Sequence, residues 1–192
     1  MKSKLAALIL GVAAIAFSTS ANAVSLVTNG GFETGDFTGW TTHNLTLFDS
    51  VCGGVCPHSG SFGAAFGAPT ADSGISQDIV TIPATTYVVS FFLWNRDLGG
   101  AVDNDLSISF AGTTLLSGTN VAPFSYTLFT YDVAAVSTLS TLAFSFRNST
   151  SWFYIDDVSV EAAPTPLPAA LPLFATGLGA LGLLGWRRRR KA

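Results

Sequence analysis

Positive charge is almost missing from the middle of this chain. All 12 acidic residues of the 192-residue sequence lie between residues 24 and 161, against only two basic ones, Arg96 and Arg147, so that stretch carries a formal charge of −10 while the whole chain stands at −3. A field of that sign repels phosphate backbones and anionic lipid, which excludes nucleic acid as a partner and leaves neutral polymers and divalent cations compatible. Histidine is equally scarce: there are two, His43 and His58. Neither sits in a recognisable nucleophile or metalloprotease motif, and Gly-x-Ser-x-Gly and His-Glu-x-x-His are both absent. The expectation is a protein that is not an enzyme. A polysaccharide hydrolase stays as a third reading only because Asp97, Asp103, Asp105 and Glu33 are groups able to supply a carboxylate pair.

Cysteine is limited to Cys52 and Cys56. In an oxidising compartment the only two cysteines form a disulfide, and Gly53 and Gly54 relax the backbone enough to close so small a ring. The alternatives are a thiol metal site with His58, which has too few ligands, and a redox pair, whose Cys-x-x-Cys spacing is missing.

Long hydrophobic runs are confined to the two ends. Lys2 and Lys4 precede an apolar run from Leu5 to Phe17, and Ala21-Asn22-Ala23 supplies small residues for cleavage, so residues 1–23 read as a signal peptide. The last 31 residues, 162–192, hold a proline spacer, an uncharged run from Leu167 to Trp186 and a basic cluster from Arg187 to Lys191. Twenty residues at 1.5 Å rise cover about 30 Å, the thickness of a hydrocarbon core, and the basic cluster orients the terminus inward. This predicts one C-terminal transmembrane helix, an inner-membrane anchor.

These tail residues, Pro166-Leu167-Pro168, a Gly/Leu-rich helix and Arg187, Arg188, Arg189 and Arg190, resemble the PEP-CTERM sorting signals of Gram-negative bacteria. The commonest form of that motif has Glu between the prolines, where this chain has Leu167. The resemblance implies an exosortase-type membrane enzyme as processing partner, with the cell surface or extracellular matrix as destination. A plain membrane anchor is the alternative.

Amphipathic helical periodicity is also lacking between the ends. Residues 24–161 instead alternate short runs of Val, Ile, Phe, Tyr and Thr with Gly, Asn, Asp and Ser, the pattern of strands and turns. Tyr87 to Asn95 is the clearest strand, apolar on both faces; Leu106, Ile108 and Phe110, and Leu142, Phe144 and Phe146, mark two half-buried strands. Others are expected near residues 25–28, 45–51, 62–66, 75–82, 126–133 and 153–160. About nine short strands predict an all-β antiparallel sandwich over residues 24–161.

The segment Asn29-Gly30-Gly31-Phe32-Glu33-Thr34-Gly35-Asp36-Phe37-Thr38-Gly39-Trp40 and the segment Tyr154-Ile155-Asp156-Asp157-Val158-Ser159-Val160 are similar to the opening and closing strands of jelly-roll carbohydrate-binding modules and their galactose-binding-like relatives. In this reading Phe32, Phe37 and Trp40 plug the rim of the core. Phe153 and Ile155 share one parity and Val158 and Val160 the other, so a bulge at Asp156 and Asp157 is needed to turn all four inward. Glu33, Asp156 and Asp157 then gather in an oxygen-rich corner that suits a structural calcium ion, as the resembled modules often hold; ordinary turn carboxylates are the alternative.

Neutral sugars are held by aromatic faces flanked by polar side chains. The expected ligand site is therefore Phe92, Trp94, Asn95, Arg96, Asp97, Asp103 and Asp105, with Trp152 and Tyr154 as neighbours. Two functions compete: a module associated with carbohydrate or extracellular polysaccharide, and a structural, glycosylated matrix component without a specific ligand.

Overall fold

The structure, a computed structural model, describes residues 24–96, 103–149 and 151–164. The expected signal peptide, the tail from residue 165 with Pro166, Leu167, Pro168 and Arg187 to Arg190, and Asp97 lie outside the described residues.

Among the described residues are ten strands and no helix: β1 (Thr41–His43), β2 (Ser50–Cys52), β3 (Gly63–Phe66), β4 (Ser73–Val80), β5 (Thr86–Arg96), β6 (Asn104–Phe110), β7 (Thr113–Thr119), β8 (Phe124–Ala134), β9 (Leu139–Asn148) and β10 (Trp152–Ala162). They form two five-stranded antiparallel sheets, a front sheet in the order β1-β4-β9-β6-β7 and a back sheet in the order β2-β3-β10-β5-β8. This is the expected all-β sandwich. The expected strand at 45–51 is shorter than read, since only Ser50–Cys52 pair; Asp49 instead ties the preceding turn, accepting the Thr46 amide at 2.7 Å. β1 and β7 were not foreseen, because Thr41–His43 and Thr113–Thr119 are exposed edge strands that carry little apolar alternation.

The core lies between the sheets. Tyr87, Val89, Phe91 and Leu93 point inward from β5, and Ile108, Phe110, Leu142, Phe144 and Phe146 meet them from the front sheet. Phe91 and Phe144 pack edge to face with centroids 5.4 Å apart, and Phe146 stacks on Phe153 at 5.2 Å. At the rim Phe32 is fully buried and stacks on Trp40 at 5.8 Å, with Phe37 edge-on to it at 6.2 Å, so the opening segment packs as expected. Asn29 holds this loop by donating from Nδ2 to Thr34 Oγ1 at 2.7 Å and to the carbonyls of Asp36 and Thr38 at 3.1 and 3.0 Å.

The first and last segments pair. The Leu26 amide donates to the Val160 carbonyl at 2.8 Å and the Val158 amide to the Gly30 carbonyl at 2.9 Å. A Cβ on Gly30 would sit 2.0 Å from the Val158 oxygen, so only glycine allows that approach. Between Asp156 and Ser159 the register of β10 against β5 shifts, and Asp157 takes a left-handed φ of 50°. This is the expected bulge. It places Phe153, Ile155, Val158 and Val160 all in the core.

Candidate functional site

Pairing of β5 with β10 builds a surface on the outer face of the back sheet. Residues of β5 alternate, so while Leu93 faces the core, Phe92, Trp94 and Arg96 face outward. Antiparallel register sets Trp94 opposite Tyr154, Arg96 opposite Trp152 and Phe92 opposite Asp156. Trp94 and Tyr154 rings lie 4.9 Å apart, Tyr126 from β8 adds a third ring 5.5 Å from Trp94, and the Arg96 guanidinium carbon sits 5.9 Å from the Trp94 ring centroid. Arg96 Nη1 also donates to the Tyr154 hydroxyl at 3.1 Å, and Trp152 Nε1 to the Phe48 carbonyl at 3.1 Å. Beside this strip runs an open groove lined by Trp94, Asn95, Arg96, Pro123, Phe124 and Ser125. Tyr154 is buried beneath its neighbours, so Trp94 and Tyr126, both half-buried, are the rings this face presents, with a cation at the edge.

A strap made by residues 52–62 closes one side. The Cys52–Cys56 disulfide, Cα atoms 5.7 Å apart, forms its base, in agreement with the sequence reading. The Tyr126 hydroxyl donates to the Cys56 carbonyl; burial, then the charge of Asp156, raise the phenol's pKa, so it stays a donor. His58 stacks over Phe92 with centroids 3.5 Å apart, so Phe92 lies covered rather than presented.

The carboxylates of the expected calcium corner hold this strap. Asp156, fully buried, accepts the His58 and Ser59 amides on Oδ2 at 2.8 and 3.0 Å and the Asp157 amide on Oδ1 at 2.7 Å. Asp157 accepts from Ser59 Oγ at 2.7 Å and pairs with His58 Nδ1 at 2.7 Å; Glu33 Oε1 accepts the Ser61 and Phe62 amides at 2.8 and 3.1 Å. Glu33, Asp156 and Asp157 thus all hold the same strap, Asp156 and Asp157 at residues 58 and 59 and Glu33 at residues 61 and 62. Their oxygens face hydrogen donors, and among the described residues no group of three His, Cys, Asp or Glu side chains is arranged to hold an ion. The strap thus draws on both oxygens of Asp156 and Asp157 and on Oε1 of Glu33.

Burial raises the pKa of Asp156, against the lowering influence of the amides of Ser59, Asp157 and His58.

Of the other expected ligand residues, Asn95 borders the groove with its side chain turned inward, and Asp103 and Asp105 lie elsewhere. Asn95 points into the sandwich, 2 % exposed, and donates to the Val121 carbonyl at 2.9 Å, because β5 alternation gives it the parity of Leu93. Asp103 and Asp105 flank the front sheet, where both pair with Arg147, the register partner of Asp105; Asp103 lies 2.7 Å from its Nη1. That hydrogen bond lowers the Asp103 pKa. Sequence proximity of residues 103 and 105 to Arg96 misled, because the chain crosses between sheets there. Tyr126 and His58 were missed: each reaches Trp94 or Phe92 only through strand pairing or the strap, and nothing in their local sequence marks them.

No family model matches the chain, and no curated protein does. Solved structures do. TmCBM61, described in complex with β-1,4-galactotriose, is 19% identical, with 72% of this chain and 99% of that one covered at a TM-score of 0.51. The C-terminal family 22 carbohydrate-binding module of Clostridium thermocellum Xyn10B is 21% identical over 72% of this chain and 94% of its own, with a TM-score of 0.52. The enzymatically active domain of bacteriophage CBA120 tailspike protein 4 is 14% identical over 72% of this chain and 21% of its own, with a TM-score of 0.54. These likenesses show the fold: the described part is a jelly-roll sandwich of the kind carbohydrate-binding modules adopt.

Proposed function

We propose that this chain binds a neutral polysaccharide noncovalently along the outer face of the back sheet. One observation carries the reading: Trp94 and Tyr126 lie half-buried on an outward sheet face over the buried Tyr154 ring, with Arg96 at the edge, beside an open groove. Aromatic rings present apolar faces to the C–H surfaces of a sugar, and a guanidinium with free donors fixes hydroxyls. The acidic charge of residues 24–161 opposes an anionic polymer, so the ligand class is neutral. Modules of this fold supply a precedent in the galactotriose complex of TmCBM61. In the same reading the chain is exported, sorted by an exosortase-type system through its tail and retained at the cell surface or in extracellular polysaccharide.

The test is a panel of neutral polysaccharides run in affinity gels and by calorimetry. Retention by at least one is expected, with Trp94→Ala weakening it more than about tenfold, or about 1.4 kcal/mol, and Arg96→Gln weakening it less. A folded chain that ignores the whole panel leaves the structural matrix component as the function; turnover of any panel member favours the hydrolase.

A further inference from the structure

At the end of the sandwich where β10 finishes, the surface changes character. The loop from β4 to β5 and the loop from β8 to β9 are tied together there: the Thr81 amide donates to the Thr138 carbonyl at 3.0 Å, the Ala84 amide to the Ala135 carbonyl at 2.8 Å and the Ala135 amide to the Thr85 carbonyl at 2.9 Å. On this joined tip four large apolar side chains stand in solvent, Val136 at 78%, Val80 at 76%, Ile82 at 67% and Leu139 at 54% exposed, and Val80 is the register partner of Leu139. A single exposed valine needs no explanation. Four such side chains on two bonded loops call for a partner.

Charge is missing from the same place. Residues 24–161 hold all 12 acidic groups of the chain, yet none of these and neither arginine falls in residues 79–87, 111–113 or 133–141, the segments that make this end. The turn at residues 111–113 belongs to it because the Ala111 amide donates to the Thr141 carbonyl at 3.2 Å. The acidic residues next along the chain, Asp78, Asp132 and Glu161, lie within β4, β8 and β10 rather than in the loops.

The course of the chain says what the partner is. The Ala163 amide donates to the Thr86 carbonyl at 2.9 Å, so β10 delivers the chain to this end, and in the sequence Pro164, Thr165 and Pro166 alone separate Ala163 from the uncharged run Leu167 to Trp186. Four residue steps reach at most about 14 Å. In the anchored reading of the tail, a bilayer surface therefore lies within that reach of the point where β10 ends. A lipid surface accepts valine, isoleucine and leucine without asking for a counter-charge, and a tether keeps it at high local concentration, so a shallow apolar contact suffices. Asp78, Asp132 and Glu161 oppose an anionic surface and leave zwitterionic headgroups as the match.

We infer that Val80, Ile82, Val136 and Leu139 form a membrane-docking face that enters the headgroup region of a zwitterionic leaflet. The inference rests on the anchored reading of the tail, to which it adds a posture for the sandwich. β5 runs from Thr86 at the docked end to Arg96, so Trp94 stands eight residues from Thr86, about 26 Å along the strand. Docking by this end keeps the Trp94 groove clear of the headgroups and open to a polymer.

Photolabelling tests it on the full chain in phosphatidylcholine nanodiscs, one chain per disc, with a trace of phosphatidylcholine that carries a diazirine near the top of its acyl chain. Mass spectrometry is expected to find label in residues 79–86 and 134–140 as well as in 167–186, the loops standing about fivefold or more above the peptide that holds Trp94. Ile82→Ser combined with Val136→Ser is expected to cut the loop label about fivefold and leave that of residues 167–186 unchanged. Both side chains are exposed, so the melting temperature of the double variant is expected to stay within about 2 °C of wild type. Label confined to residues 167–186 overturns the docking face and leaves the anchor standing, and loop label that the double variant does not reduce overturns it as well. Loop label that collapses in discs holding two chains assigns the face to a second copy and overturns the lipid. Label missing from residues 167–186 removes the anchor and the docking with it, while polysaccharide retention through Trp94 is judged separately by the affinity gels.

Discussion

Replacing Asp156 by alanine tests how the strap is held. The carboxylate is fully buried and accepts three backbone amides, from His58, Ser59 and Asp157 at 2.8, 3.0 and 2.7 Å. Hydrogen bonds to a charged acceptor contribute about 1.5–3 kcal/mol each, which puts three at about 4.5 kcal/mol or more. His58 and Ser59 stand at an exposed loop, so their freed amides regain water, which brings the expected loss to about 3 kcal/mol. For a domain of this size that lowers the melting temperature by about 6–12 °C.

The strap loosens with it, because the stack of His58 on Phe92 depends on the anchored backbone. Calorimetry gives the first number, and amide exchange at His58 and Ser59 the second. Asp156→Asn adds a check by sign. Burial raises the wild-type pKa above 3.8, so the folded state keeps this proton to a higher pH than the unfolded state does. The stability owed to this group therefore falls as pH climbs from about 3.8 through the folded pKa, then levels off, and the Asn variant lacks that slope. A melting temperature within about 1 °C of wild type for Asp156→Ala, with exchange unchanged, refutes the argument that Asp156 is the anchor.

Asp103 has the opposite sign: its hydrogen bond to Arg147 lowers its pKa, so its contribution is present above pH 3.8 and lost as pH falls through the folded pKa. Asp103→Asn is expected to flatten that acid limb in melts followed between about pH 2 and 5, and added salt to shrink the difference. Reducing the Cys52–Cys56 bond, which closes a loop with a sequence separation of four, is expected to cost about 2 kcal/mol, read as a lower denaturation midpoint with reductant. Gly74→Ala places a Cβ 2.0 Å from the Phe144 carbonyl oxygen in the β4–β9 ladder, so a loss above about 3 kcal/mol is expected in urea titration. A chelator is expected to leave the melting temperature unchanged, since the strap is held by direct hydrogen bonds to Asp156, Asp157 and Glu33 Oε1; a fall of several degrees points to an ion at that corner.

Much of the sandwich was legible because strands announce themselves locally. The period-two alternation of Tyr87 to Leu93, of Leu106 to Phe110 and of Leu142 to Phe146 survives folding unchanged, since each side chain's parity is set by backbone geometry before any partner arrives. The phase slip between Ile155 and Val158 also belonged to the sequence, because four apolar residues of mixed parity enter one core only through a bulge. The acidic charge of residues 24–161 and the composition of both ends need no fold at all.

Partnership across strands was decided only by the tertiary structure. Trp94 and Arg96 stood out in sequence, yet register chose Tyr154 and Trp152 as their neighbours and sent Asn95 inward. Arg147, 42 residues beyond Asp105, captured Asp103 and Asp105, which were expected in one ligand site with Arg96, because β6 and β9 are adjacent in the front sheet. Glu33, Asp156 and Asp157 were expected to gather around an ion, and what they hold in the fold is the strap of residues 58–62. Residue type limits what a side chain can bind, and only the approach of a distant segment decides which atoms reach it.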